Sequence, residues 1–199
     1  MNFGILDLEM TCDGRQEGKK FIDDGRLRHA EREIISVGFI VVDEKYAVKN
    51  SYASFVKPAR NSVLSEYCKN LTGITQAEVD GGKICNDAFF DIAEMCRNFS
   101  VEIILTFDRF DKAGVINSAK FCKDANEPYE NLNVIAQKIF DVKPIIRSAV
   151  SNDNQKRLSL SKISQMLQIE TDTAKHNALN DALLLRKICK RLKLKIRSV

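Results

Sequence analysis

Asp7 and Glu9 stand two residues apart in the segment NFGILDLEM. In a strand, residues two apart leave the same face, about 7 Å from one another along the chain. Phe3 and Ile5 share that face, so the strand passes from an apolar core into a polar site. Paired carboxylates repel and are costly to bury unless a cation compensates, and a hard divalent ion is the natural one. An exposed strand end is the plain alternative. A second cluster lies in AKHNALNDALLLRKICKRLKL, where His176 and Asp181 are five residues apart. On one continuous helix that spacing turns them roughly 140° apart. They converge if Asn177 or its neighbour caps a helix, which leaves His176 in the preceding loop and Asp181 in the first or second turn. A third candidate is Asp111 in LTFDRFDKAGV, with Asp108 three residues earlier. Either acid can cap a helix, and Asp111 is preferred for the site.

The elements that must position these groups follow from local pattern. NFGILDLEM is short and rich in β-formers, as are EIISVGFIVVD and NSYASFVKP, and together they predict an antiparallel meander of three strands. Of the 21 residues from Asp13 to Glu33, twelve are charged, six of each sign, which predicts a solvated loop between strands. Ser62 to Asn70 has helical spacing, LTGITQAEV reads as a loop capping a short helix, and Ala88 to Phe99 repeats apolar residues at helical intervals. EIILTF is a fourth strand, and Phe110 to Cys122 a helix. VIAQKIFDV fits helix or strand, Leu158 to Leu167 is a helix, and one long helix ends the chain. Strands first and helix–strand alternation afterwards indicate an α/β domain with a mixed sheet.

The order DxE, then D, then H-x-x-x-x-D resembles the DEDDh group of 3′→5′ exonucleases, from Phe3 to about Leu192. ILDLEMTC is similar to the first motif, RFDKAGV to the second, and HNALNDA to the third, H-x-A-x-x-D-A. EIISVGFIVVD, FVKP and LSEYCKNLTGITQAEVD resemble the branch of histone-mRNA and small-interfering-RNA exonucleases and their bacterial relatives, with LTGIT especially close. Where those relatives carry Trp or Gly before the second-motif acid, this chain has Thr106 to Phe110.

The resemblance implies a ribonuclease-H-like single domain over 1–199, with a central mixed five-stranded sheet flanked by helices. It implies two divalent ions, Mg²⁺ or Mn²⁺, held by Asp7, Glu9, Asp111 and Asp181. His176, with an ordinary pKa of about 6.5, would be the general base. Met10, Thr11, Leu71 and Thr72 would contact the last nucleotide; core packing of Met10 and Leu71 is an equally weighted alternative. The implied reaction releases nucleoside 5′-monophosphates from single-stranded 3′ ends, RNA being favoured over DNA. A DNA-trimming or proofreading enzyme, or a regulatory interaction protein on the same fold, are the competing expectations.

Composition sets bounds on this reading. The chain has 199 residues, 44% hydrophobic and 29% charged, as expected of an ordinary globular protein. The longest nearly apolar run, Ile34 to Val42, is far short of the roughly 20 residues that span a bilayer. No membrane association is expected, and a cytoplasmic protein is. Six cysteines without a C-x-x-C pair read as reduced, mostly buried thiols. Residues 182–199 carry seven basic side chains and no acid; without them the formal net charge of +4 becomes −3. Within that stretch Arg186, Lys190, Lys193 and Arg197 recur at helical spacing, as a solvated face or as a phosphate-tracking surface leading toward the site.

Overall fold

A computed structural model describes residues 1–17, 20–22, 31–150, 158–170 and 177–195. A six-stranded mixed sheet runs through its centre, in the order β6-β5-β4-β1-β7-β8. The three long strands β1 (Asn2–Met10), β4 (Ile34–Asp43) and β5 (Val48–Lys57) form the antiparallel meander, with Asp7 opposite Gly38 and Phe39 opposite Tyr52. β7 (Ile104–Thr106) lies parallel to β1, and β8 (Ile139–Asp141) parallel to β7.

The expected count of five strands is corrected by two short edge elements. β6 (Lys83–Ile84) has two residues, too few to leave a periodic signal, and pairs in parallel with Val56 and Lys57. The ambiguous VIAQKIFDV divides: α5 (Glu130–Lys138) takes its first part and β8 the remainder. The charged segment after Asp13 is likewise more structured than a loop. It contains the antiparallel pair β2 (Arg15–Glu17) and β3 (Lys20–Ile22): pairing uses backbone groups that every residue carries, so a charged composition does not prevent it.

Helices cover both faces. On one, α3 (Cys85–Asn98), α4 (Arg109–Asp124) and α5 pack on Leu6, Leu8, Val37, Phe39 and Val41. On the other, α6 (Lys143–Val150), α7 (Leu160–Met166) and α8 (Ala178–Arg191) pack on Phe3, Ile5, Ile40, Val42 and Leu105. This alternation follows from the two-residue period of each strand. β4, between β1 and β5, is buried almost throughout, which explains its nearly apolar sequence. A smaller core under α1 (Glu66–Thr72) and α2 (Gln76–Asp80) joins Cys12, Ile35, Leu64, Cys68, Ile74 and Val79. Ser65 caps α1, and Thr75 with Glu78 closes a capping box on α2. All six cysteines are buried thiols. No helix among the described residues is long and apolar enough to cross a membrane.

Candidate active site

On β1 the residues facing α8 are Phe3, Ile5, Asp7 and Glu9, and the first two belong to the core on that side. The apolar stripe therefore turns acidic where β1 nears its carboxyl end, and the first turn of α8 meets it there. Asn177 caps α8, its side-chain oxygen accepting from the backbone N–H groups of Leu179 and Asn180 at 3.1 and 3.2 Å. Asp181 sits in that first turn, its own N–H bonded to the Asn177 carbonyl at 2.9 Å.

What lets the helix come so close is Gly38, across the pair from Asp7. A Cβ there would lie 2.2 Å from the Ala178 carbonyl carbon and the Leu179 nitrogen, so any side chain at 38 would push α8 off the sheet. With glycine in place, one carboxylate oxygen from each of Asp7, Glu9 and Asp181 lies within 4.8 Å of the others.

Asp111 approaches from the next strand. β7 ends at Thr106 beside β1, and Asp108 caps α4 by accepting from the Phe110 N–H at 3.2 Å. That places Asp111, buried, in the first turn of α4, at the carboxyl ends of two adjacent parallel strands, the usual place for a site in an open α/β sheet. Of the two acids the sequence offered, Asp108 is the cap and Asp111 faces Asp7.

The electrostatics follow from this crowding. Burial, then the charges of Asp111, Asp181 and Glu9, hold the Asp7 carboxyl well above the usual range. Burial, then Asp181, Cys68 and Asp111, push Glu9 up to about 8. Burial also lifts Asp111 to about 8; the Asp108 backbone and Lys143 pull it down, and the charges of Asp108 and Asp141 push it up. These acids stay protonated near neutrality unless positive charge is supplied. Hard oxygen donors, convergent and partly buried, are the ligand set that Mg²⁺ or Mn²⁺ takes, so the residues present fit a divalent ion.

His176 immediately precedes the Asn177 cap in sequence and lies outside the described residues. Met10 leaves β1 toward the other layer and packs on its core, where a Cβ on Gly114 of α4 would lie 2.5 Å from the Met10 sulfur. Thr11 is buried; its hydroxyl accepts from the Glu33 N–H at 2.9 Å, and its own N–H donates to the Glu33 carbonyl at 2.8 Å. Thr72 is buried too, its hydroxyl donating to the Cys68 carbonyl at 2.8 Å and accepting from the Ile74 N–H at 3.2 Å. Leu71 is 39% exposed and Met10 partly so, so Leu71 offers the most apolar surface of this group to solvent.

Glu33, placed by sequence in the solvated loop, is 2% exposed. Its carboxylate accepts from the backbone N–H groups of Ala59, Arg60 and Asn61 and from the Asn61 side chain, at 2.6 to 3.1 Å. It ties the chain after β5 against the end of β1. Its position directly before the apolar run at Ile34 was the available signal, hidden by the charges around it.

The basic end of α8 runs away from the site. The Arg186 Nε donates to the Tyr46 carbonyl at 2.8 Å, and the Tyr46 hydroxyl donates to the Leu194 carbonyl at 3.0 Å. Tyr46 follows Asp43, which pairs with Asn2 at the opposite end of β1 from Glu9. A 14-residue helix rises about 21 Å, so Lys190 and Arg191 lie on the order of 15 Å from the acids.

The model of the exonuclease family matches residues 5–189. The chain belongs to the exonuclease family. It is 27% identical over 210 residues to the 3′-5′ exonuclease eri1 of Schizosaccharomyces pombe, covering 94% of this chain and 66% of that relative. Its fold matches a 3′-exonuclease solved with a histone mRNA stem-loop, with a TM-score of 0.77 and 18% identity over 96% of this chain and 63% of that one. It also matches the nuclease domain of 3′hExo, a DEDDh family member bound to rAMP, with a TM-score of 0.70 and 19% identity over 96% and 90%. The chain thus spans about two thirds of the first two. The ribonuclease-H-like architecture expected from the motifs is the fold these proteins share.

Proposed function

We propose that this chain is a 3′→5′ exonuclease that removes nucleoside 5′-monophosphates from single-stranded ends, preferring RNA to DNA. The observation that carries the proposal is the convergence of Asp7, Glu9 and Asp181 within 4.8 Å, with Asp111 close enough for its charge to displace the pKa of Asp7 and Glu9. Asp7, Glu9, Asp111 and Asp181 would hold two divalent cations. Once bound, such ions neutralise charge on the attacking and leaving oxygens of a phosphodiester. His176, one residue ahead of the α8 cap, would take the proton from the attacking water. Met10, Thr11, Leu71 and Thr72 would shape the seat of the terminal nucleotide: the first two and Thr72 by fixing its floor, and Leu71 by its exposed side chain. Support for RNA comes from the LTGIT segment and from the names of relatives, among them the 3′-5′ exoribonuclease 1 of Rattus norvegicus, 24% identical over 94% of this chain and 52% of that relative.

The test uses 5′-labelled single-stranded RNA and DNA of one sequence, with Mg²⁺, Mn²⁺ or EDTA, beside Asp7→Asn. The expected result is a ladder shortening from the 3′ end, faster on RNA, lost in EDTA and reduced about 10³-fold or more in Asp7→Asn. Failure to cut either polymer with either metal would overturn the enzymatic reading in favour of an interaction protein. Equal rates on both polymers would remove the RNA preference alone.

A further inference from the structure

A cleft of about 470 Å³ opens between the start of α4 and the start of α6, walled by Asp108, Arg109, Phe110, Lys143, Pro144 and Arg147. Its size is that of clefts that seat a small ligand or one unit of a polymer. It borders the reacting acids. The charges of Asp108, Asp141 and Lys143 all act on Asp111, and because β7 lies between β1 and β8, the cleft flanks Asp111 on the side away from Asp7 and Glu9.

The acids of the cleft have structural duties. Asp108 caps α4 and pairs with the Lys143 ammonium; Asp141 accepts from the Lys143 backbone N–H at the start of α6, at 2.8 Å. The cations lie beside them. Lys143 and Arg147 are one helical turn apart and therefore share a face of α6. An ammonium has three donors, and Asp108 engages one of them. Lys143 also stands 5.1 Å from the centre of the Phe107 ring, and the Arg109 guanidinium 5.3 Å from that of Phe110. Three cations beside an aromatic ring and a proline match a phosphodiester with its base: the charge is taken by Lys and Arg, and the ring face by Phe110.

The geometry points to this cleft as a second nucleotide subsite, in which Arg109, Lys143 and Arg147 hold the backbone phosphate of a nucleotide upstream of the one being removed, with its base against Phe110. The inference rests on the exonuclease reading for the identity of the strand. It makes the enzyme a reader of chain length, since a mononucleotide ester fills the reacting site and leaves this cleft empty. Lys143, beside Asp111, then links the two sites.

The test compares KM for a 12-nucleotide single-stranded RNA with KM for the p-nitrophenyl ester of a nucleoside 5′-monophosphate, together with the salt dependence of 12-mer binding by fluorescence anisotropy. The variants are Lys143→Gln, Lys143→Arg and the pair Arg109→Gln with Arg147→Gln. The ratio of the two KM values should shift about tenfold against the 12-mer in the glutamine variants, and the log–log salt slope should fall by about one for each phosphate contact removed. Lys143→Arg should restore most of both. An unchanged ratio and slope would overturn the subsite. Should Lys143→Gln unfold through loss of its partner on the α4 cap, the Arg109 and Arg147 pair decides alone. If the unmodified protein cuts neither substrate, the exonuclease reading fails, and the binding slope still decides whether the cleft takes a strand.

Discussion

Glu9, partly buried, and Glu33, fully buried, lie at the same end of the β1–β4 pair and could hardly be more different in company. Glu33 accepts three backbone N–H groups and a side-chain amide, so its charge is fully solvated by the protein. The groups that push on Glu9 among the described residues include Asp181, Cys68 and Asp111, every one of the sign that repels it. Asp43, at the opposite end of the same strand pair, completes the contrast. It accepts from the N–H groups of Lys45 and Ala47 and pairs with Lys49, each at 2.9 Å, and its carboxyl is held down to about 2, chiefly by Lys49. Donors turn a carboxylate into a structural fastener. Carboxylates that face mainly one another form a site that only an external cation completes.

The contrast predicts opposite responses to losing charge. Asp7→Asn should abolish hydrolysis, by about 10³-fold or more, while leaving the metal-free fold as stable or more so, because a neutral amide need not take up a proton to sit among the other acids. Thermal melting in EDTA beside the cleavage assay checks both halves, and a melting point lowered by several degrees would break the comparison. Glu33→Gln should do the reverse. Its amide cannot accept from all four donors, and unfolding in urea should show a loss of about 2–4 kcal/mol, with activity falling only as folded protein is lost.

Divalent metal and pH should sharpen the same difference. The folded-state pKa of Glu9 is raised from 4.5 to about 8, so without metal the native state holds protons that the unfolded chain releases. The contribution of Glu9 to stability in EDTA should therefore be fully present below about pH 4.5 and be lost as pH rises toward about 8. Mg²⁺ or Mn²⁺ competes with those protons, so the rise in melting temperature on adding metal should be larger at about pH 8 than at about pH 5. An equal rise at both would show that the acids were already ionised. The smallest effect belongs to Asp43→Asn, which loses an exposed fastener: a slight fall in the urea midpoint near neutral pH and unaltered cleavage.

How much of this could be read from the chain varies with how local the cause is. The three-strand meander was legible because long strands alternate or run apolar, and Asn177 because a cap declares itself beside the residues it bonds. The cap in turn accounted for Asp181 facing the site. β6 and β8 were not legible: with two and three residues, they are strands only because β5 and β7 offer free backbone to pair with. The buried role of Glu33 was masked by the run of charged residues that precedes it in sequence. The direction of the basic tail was hidden as well, since charge spacing defines a helix face and not the end of the sheet to which it points.

The sequence by itself determined which acids would be available, that Asp7 and Glu9 would share a face, and that Asp181 would open a helix, because each depends on backbone periods of two or 3.6 residues. Tertiary structure decided that these acids meet. The decisive contact is Gly38 against Ala178 and Leu179, between residues 140 positions apart in the chain, and it exists because a residue with no side chain lets a helix settle directly onto a strand. It likewise decided that Lys143 stands beside Asp111 and that Lys190 and Arg191, at the far end of α8, do not.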